Sequence, residues 1–350
     1  MNIISLFSGA GGLDLGFEQE DLSAIVAYDK MSAAVNTYNH NREGKTAHEA
    51  DLSSLTAGDI INEIGRIESV GLPRGVIGGP PCQPFSHSNV HFKENDIRRS
   101  LPARYATILK TLNEHYNLDF FVFENVRGIS FKRHCREFAR FRDLFRSAGF
   151  RLFEGLLDAV NFGVPQKRPR VFVVGFNKEK YGERDFIFPE ADGTPIRTVA
   201  DTIRGLPEPK FFVRGLAPED IPHHPNHWTM QPRSEKFRDG SLKEGQNHGR
   251  SFRVLAWDKP SWTVAYGHRE IHIHPSGKRR LSIYEAMLLQ GFPKEYQLVG
   301  TLSEQVYQVS DAVPPPLARA LARVIRSFLE DETVRVRCSG QLSLPRVSTD

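Results

Sequence analysis

Cysteine is scarce in this chain: Cys82, Cys135 and Cys338 are the only three among 350 residues. They lie far apart, no CxxC occurs, and no paired Cys/His spacing points to zinc. That argues against a disulfide scaffold and against a structural metal, and it fits a reducing cytoplasmic compartment. Long apolar runs are missing too. No stretch of about 18 apolar residues exists, so no segment reads as membrane-spanning. The start, Met1 to Phe7, lacks the charged lead and apolar stretch of a signal peptide and reads as a strand. There is no large excess of either charge. Lys and Arg number 46 against 42 Asp and Glu, giving +4, which permits nucleic acid as a partner without demanding it. No internal repeat is visible.

What is present is a sizeable apolar fraction, 39%, patterned as strands alternating with helices. Ile3 to Phe7 is an apolar run that ends in Ser8-Gly9-Ala10-Gly11-Gly12. Ile25 to Tyr28 is a second, ending at Asp29. Arg74 to Ile77 leads into Gly78-Gly79-Pro80-Pro81-Cys82. Asp119 to Phe123 ends at Glu124, and Arg170 to Phe176 is a further run. Helical patterns lie between, as at Tyr105 to Asn113 and Glu137 to Ser147. This alternation predicts an α/β fold with a doubly wound, mostly parallel sheet, whose site collects beyond the carboxyl ends of the strands. After about Leu206 the character changes. Residues 207–277 are rich in Pro, His, Arg and Trp without long periodic segments, and read as a smaller irregular domain. Residues 278–330 return to the first domain (residues 1–206), with a helical pattern at Ser282 to Gln290 and an amphipathic helix at Pro316 to Leu329. Residues 331–350 read as a polar, frayed tail.

Four sets of residues carry chemistry. A glycine turn after a strand exposes backbone N–H groups to a ligand, and Asp29 at the next strand end suits a ribose diol. The dinucleotide fingerprint needs glycine at position 14, where Asp14 stands, so adenosine-type ligands are favoured over NAD. Cys82 follows two glycines and two prolines, a rigid close-approach loop on which a thiolate nucleophile is well held. Taken alone, a lone cysteine is more often a small buried hydrophobe, and Cys135 and Cys338 are read that way. Glu124 ends a four-residue apolar run, where burial raises a carboxyl pKa. Arg168 and Arg170 alternate on entering a strand and so are expected on one side, facing a carbonyl oxygen or a phosphate. The pairs His223-His224 and His272-x-His274 read as groove-facing or solvated histidines rather than ligands.

Together these motifs resemble the bacterial C5-cytosine DNA methyltransferases of restriction-modification type, over roughly residues 1 to 330. Phe7-Ser8-Gly9-Ala10-Gly11-Gly12 is similar to their cofactor loop, Gly79-Pro80-Pro81-Cys82-Gln83-Pro84-Phe85-Ser86 to their nucleophile motif, and Glu124-Asn125-Val126 to the motif whose glutamate grips cytosine. Gln166, Arg168 and Arg170 match a Gln-x-Arg-x-Arg motif. Arg280-Leu281-Ser282 through Gln290-Gly291-Phe292-Pro293 resembles the late motif that packs the recognition region. The family's last motif usually reads Gly-Asn-Ala-Val-Pro-Pro; here Ser310-Asp311-Ala312-Val313-Pro314-Pro315 stands instead. Asp29 likewise replaces the usual Glu, and Asp96 to Leu101 is a loose version of a motif that usually carries Arg-Gly.

The resemblance implies an S-adenosylmethionine-binding fold with a target-recognition domain at residues 207–277. It implies Cys82, Glu124, Arg168 and Arg170 as catalytic residues. Phe7 to Gly12, Asp29, Asp51, Pro80, Asp311, Ala312 and Val313 are implied at S-adenosylmethionine. Gln83, Ser86, Asn125, Gln166, Arg233, Arg250, Arg253, Thr263 and Arg280 are implied at DNA. Thr263-Val264 resembles the family's short Thr-Val element, and the arginines are expected at phosphates before bases. The partner implied is double-stranded DNA, bound by a monomer with no metal and no membrane. A cognate restriction endonuclease would act on the same site without being bound. The tRNA-cytosine methyltransferases share these motifs, and the long basic recognition segment favours DNA over them.

Overall fold

The computed structural model describes residues 1–67, 71–81, 100–191, 193–249, 252–263 and 272–330. Cys82, Gln83, Ser86, Arg250, Cys338 and the segments Asp96 to Arg99 and 331–350 lie outside the described residues.

Seven strands form one sheet: β1 (Asn2–Leu6), β2 (Ser23–Asp29), β3 (Ala47–Glu49), β4 (Gly75–Gly78), β5 (Phe120–Val126), β6 (Phe150–Asp158) and β7 (Pro169–Asn177). Their order is β3-β2-β1-β4-β5-β7-β6. The pairs among the first five are parallel, while β7 runs antiparallel to both β5 and β6. The expected mostly parallel, doubly wound sheet is therefore present. The apolar runs read as strands because helices cover both faces, so a central strand such as Phe120-Phe121-Val122-Phe123 has nowhere to show polar side chains. Chain order turns outward from β1 to β3, then restarts at β4 on β1's other side. The crevice beyond the carboxyl ends of β1 and β4 is thus the switch point where such sheets bind ligands.

The helices are α1 (Gly12–Glu18), α2 (Ser32–His40), α3 (Ala57–Ile64), α4 (Leu101–Tyr116), α5 (Cys135–Ser147), α6 (Lys178–Tyr181), α7 (Ala200–Ile203), α8 (Ile283–Leu289), α9 (Leu302–Asp311) and α10 (Pro315–Glu330). One face of the sheet buries side chains of α3, α4 and α5, with Tyr105, Phe141 and Phe145 fully enclosed. The other buries Phe17 of α1 and Leu317, Leu321 and Ile325 of α10. The expected helices at Tyr105, Glu137, Ser282 and Pro316 are all present; β6 and the short β3 and α3 were not anticipated. Capping boxes fix three helix starts, Thr56/Asp59, Ser282/Glu285 and Thr301/Glu304.

Among the described residues of 207–277 the strands are two residues long, β8 (Lys210–Phe211) with β9 (Trp228–Thr229) and β10 (Arg253–Val254) with β11 (His272–Ile273). This segment packs on the rest of the chain. Ile221 and Trp228 share a core with Ala10, Met287 and Val309, and Leu255 packs with Val199 and Leu281. The histidines correct an expectation. Of these four only His223 is exposed; His224 stacks on Tyr284 at 4.1 Å between ring centroids, and His272 and His274 are buried. Burial pushes His224 down to about 4 and His272 to about 3, so both stay neutral and help form the core.

Candidate active site

The carboxyl ends of β1, β2, β4 and β5 meet at one cavity of about 270 Å³. Its walls are the β1 loop (Phe7, Ser8, Gly9, Ala10, Gly12), the β2 end (Asp29, Lys30, Met31), Asp51 and Leu52, the β4 loop (Gly78 to Pro81), Glu124 of β5, Arg170 of β7, and the α9 end (Tyr307, Gln308, Ser310 to Val313).

The β1 loop is held in an unusual shape. Phe7 has φ +57°, a conformation that L side chains rarely adopt, and Gly9 and Gly11 follow at +53° and +78°. Gly11 is required twice over, since a Cβ there would also meet the Arg42 guanidinium at 2.8 Å. Two contacts hold the turn: Ser8 N–H donates to Tyr28 O at 3.0 Å, and Gly9 N–H donates to the Asp29 carboxylate at 2.9 Å. The second oxygen of Asp29 accepts from Met31 N–H at 2.8 Å. The hydroxyl of Ser8 lines the cavity, is buried, and has no hydrogen-bond partner among the described residues, which suits a wall awaiting a polar ligand. Asp51 pairs with Lys30 at 2.7 Å, which pulls its pKa down.

Asp14, on the first turn of α1, is enclosed and accepts from Tyr38 Oη at 3.0 Å. Burial pushes its carboxyl up to about 6. A folded-state pKa above the ordinary carboxyl value means the folded protein holds the extra proton. Its stabilising effect is full below about pH 4 and is lost as pH rises through about 6. Asp14→Asn is therefore expected to match the parent near pH 4 and to gain on it by about 2 kcal/mol near pH 8. Urea unfolding at the two pH values measures this, and a pH-independent difference would remove the assigned proton.

The β4 loop comes close to β5. A Cβ on Gly79 would lie 2.6 Å from Glu124 Oε2, and one on Gly78 would lie 2.3 Å from Leu6 O. Only glycine lets the chain pass there. Asn125 Nδ2 then donates to Pro80 O at 3.2 Å, fastening the proline corner to the end of β5.

Glu124 and Arg170 form an ion pair, Nε to Oε1 at 2.9 Å, with both side chains at most 10% exposed. They meet because β7 is antiparallel to β5: Glu124 lies opposite Phe172 and Val126 opposite Arg170, which makes Glu124 and Arg170 diagonal neighbours. Burial pushes the Glu124 carboxyl up, Arg170 and Arg168 pull it down, and Asp311 pushes it up again; the net direction is upward.

Several expected site residues are engaged with the protein itself. Arg168 is fully buried and donates to the carbonyls of Ser310 and Ala312, the latter at 2.8 Å. The expectation that it faces the site beside Arg170 thus meets a different arrangement, in which it holds the cavity's α9 wall in place. Asn125 and Gln166 are fully enclosed, and Gln166 Nε2 donates to Gln290 Oε1 at 3.3 Å. Thr263 Oγ1 donates to Lys167 O at 2.6 Å, and Ser261 N–H to Pro165 O at 2.8 Å, so the segment around residues 261–263 zips onto the entry to β7. Arg280 stacks over Phe252, 5.7 Å from the ring centroid. Arg253 is half-buried on β10, and Arg233 is exposed. Sequence reasoning missed Lys30, Met31, Leu52, Leu101 and Tyr307 of the cavity wall. It also missed Arg279, which makes a bidentate pair with the buried Glu285 at 2.8 and 2.9 Å and anchors the late motif. Only tertiary folding brings Leu52, Leu101 and Tyr307 to the cavity, and nothing in their local sequence marks them.

A family model for C-5 cytosine-specific DNA methylases matches residues 1–327. The chain belongs to this family. It is accordingly a methyltransferase acting on carbon 5 of cytosine in DNA. It is 33% identical to the type II methyltransferase M.FnuDI of Fusobacterium nucleatum, over 95% of this chain and 96% of that protein. It is 30% identical to the type II methyltransferase M.NmeDI of Neisseria meningitidis serogroup C, over 97% and 86%. Among solved structures, a prophage-encoded E. coli protein described as a DNA modification methyltransferase superposes with a TM-score of 0.77 at 22% identity, over 95% of this chain and all of that one. The Dnmt2 methyltransferase of S. pombe gives 0.61 at 18% identity, over 94% and 98%. These methyltransferases share the fold. Among the described residues no helix is long and apolar enough to cross a membrane, and no cluster of His, Cys, Asp and Glu could hold a metal ion.

Proposed function

We propose that the chain methylates one cytosine within a specific duplex DNA sequence, using S-adenosylmethionine as methyl donor and Cys82 as covalent nucleophile. The observation that carries this reading is the shared cavity: the glycine loop with Asp29 and the Glu124–Arg170 pair line one space at the end of the Gly-Gly-Pro-Pro loop. The cofactor fits the residues present. Asp29 stands where a ribose diol would be held, the β1 loop offers backbone N–H groups, and the Ser8 hydroxyl lacks a partner among the described residues. S-adenosylmethionine bound there supplies an electrophilic methyl group.

The target cytosine must leave the duplex, because its ring is inaccessible inside the stack. Cys82 adds as thiolate to carbon 6. Glu124, whose carboxyl pKa is pushed up by burial, gives a proton to the ring nitrogen and accepts from the exocyclic amine, which lowers the charge that builds up as the thiolate adds. Arg170 orients Glu124 and faces the cytosine carbonyl. Arg168 acts through the 310–312 wall. Once carbon 5 is methylated, loss of its proton expels Cys82. Residues 207–277 form the recognition region, with Arg233, Arg250 and Arg253 at the duplex. The likeness to type II methyltransferases supports a restriction-modification role, with a cognate endonuclease cutting the same site and a cytoplasmic bacterial setting.

The deciding test is transfer of tritiated methyl from S-adenosylmethionine to mixed-sequence duplex DNA, with total tRNA in parallel and nucleoside analysis of both. Label in 5-methylcytosine from DNA alone supports the proposal. Label confined to tRNA moves the substrate to RNA, and label in neither refutes both.

A further inference from the structure

The acids around the cavity are not equally satisfied. Glu124 has Arg170 at 2.9 Å, Asp51 has Lys30 at 2.7 Å, and Asp29 has two backbone N–H groups. Asp311, the last residue of α9, lines the same cavity and is exposed to it. Its one hydrogen bond is from Ser310 Oγ at a long 3.4 Å, and it forms no ion pair among the described residues. The flanking carbonyls, Ser310 O and Ala312 O, are both held by Arg168. The backbone is therefore pinned on either side of a carboxylate that forms no ion pair among the described residues.

Its place is also defined. The charge of Asp311 is felt at Glu124, and Asp311 feels Asp29 in turn. Asp311 lines the same cavity as the acid proposed to grip cytosine and the acid proposed to hold the ribose. A methyl donor anchored at Asp29 and reacting beside Glu124 crosses the cavity that Asp311 lines. The donor is a sulfonium cation, whereas the product left behind is a neutral thioether. We propose that the Asp311 carboxylate discriminates by charge, favouring the sulfonium cofactor over its thioether product and so easing product release. An amide at this position, as the family's last motif usually has, offers no such charge. This inference rests on the cofactor reading above.

The competing role is structural: Asp311 balances the buried charge of Arg168 and touches no ligand. Calorimetric binding of S-adenosylmethionine and S-adenosylhomocysteine to the full chain separates the two. An analogue carrying an ammonium in place of the sulfonium serves as a third ligand. Asp311→Asn is expected to lower the preference for the sulfonium over the thioether about tenfold, mostly by weakening the sulfonium. The ammonium analogue should follow the sulfonium, and Asp311→Glu should restore part of the preference. Equal loss of all three ligands, or an unchanged ratio in a folded variant, overturns the proposal and leaves the cofactor reading standing. Failure of the parent to bind either natural ligand overturns both.

Discussion

Cys82→Ala is expected to abolish methyl transfer, by on the order of 10⁴-fold or more, while binding of S-adenosylmethionine and the unfolding midpoint stay near those of the parent. Cys82 lies outside the described residues, but its approach does not. Gly78, Gly79, Pro80 and Pro81, which precede it in the chain, all line the cavity. The Gly79 backbone passes so close to Glu124 that no side chain fits between them. The Asn125 amide ties Pro80 to β5. The described part of the loop, up to Pro81, is therefore a corner with little freedom of its own. Rate loss with intact cofactor binding is the signature of a nucleophile. Appreciable residual methylation of DNA would rule out the covalent route, and joint loss of cofactor binding would place Cys82 in the fold instead.

Glu124→Gln is expected to slow methylation by about 10²- to 10⁴-fold with only a small change in DNA affinity. The amide keeps the size of the side chain and can still meet the exocyclic amine. It cannot give a proton to the ring nitrogen, and it removes the charge that Arg170 pairs with at 2.9 Å. Breaking that buried pair leaves Arg170 uncompensated, so some loss of stability should accompany the loss of rate. Single-turnover rates measured beside the melting temperature tell the two effects apart. The raised pKa of Glu124 also has a consequence for pH. The protonated form declines as pH rises through the raised value, whereas the thiolate of Cys82 increases, so the rate should pass through a maximum. A rate that only climbs with pH, or a near-normal rate for the amide variant, removes Glu124 from the chemistry.

The sequence by itself determined the elements that carry their own signal. Apolar runs closed by Gly9, Asp29, Gly78 and Glu124 marked the strands and their carboxyl ends, because a parallel strand covered on both faces must be apolar throughout and can become polar only where it leaves the sheet. The alternation of those runs with helical periods identified the doubly wound sheet, and the motif order identified the family. Partnerships across the fold were decided only by the tertiary structure. Arg170 reaches Glu124 because β7 enters antiparallel beside β5, a direction that no local pattern encodes. Arg168, two residues earlier, is drawn instead to the carbonyls of α9's end. His224, His272 and His274 look like surface polar residues in sequence yet are buried and neutral, because burial disfavours their charged form. A chain segment can specify its own periodicity, but whether a polar side chain meets water, a carbonyl or an opposite charge depends on residues far away in sequence.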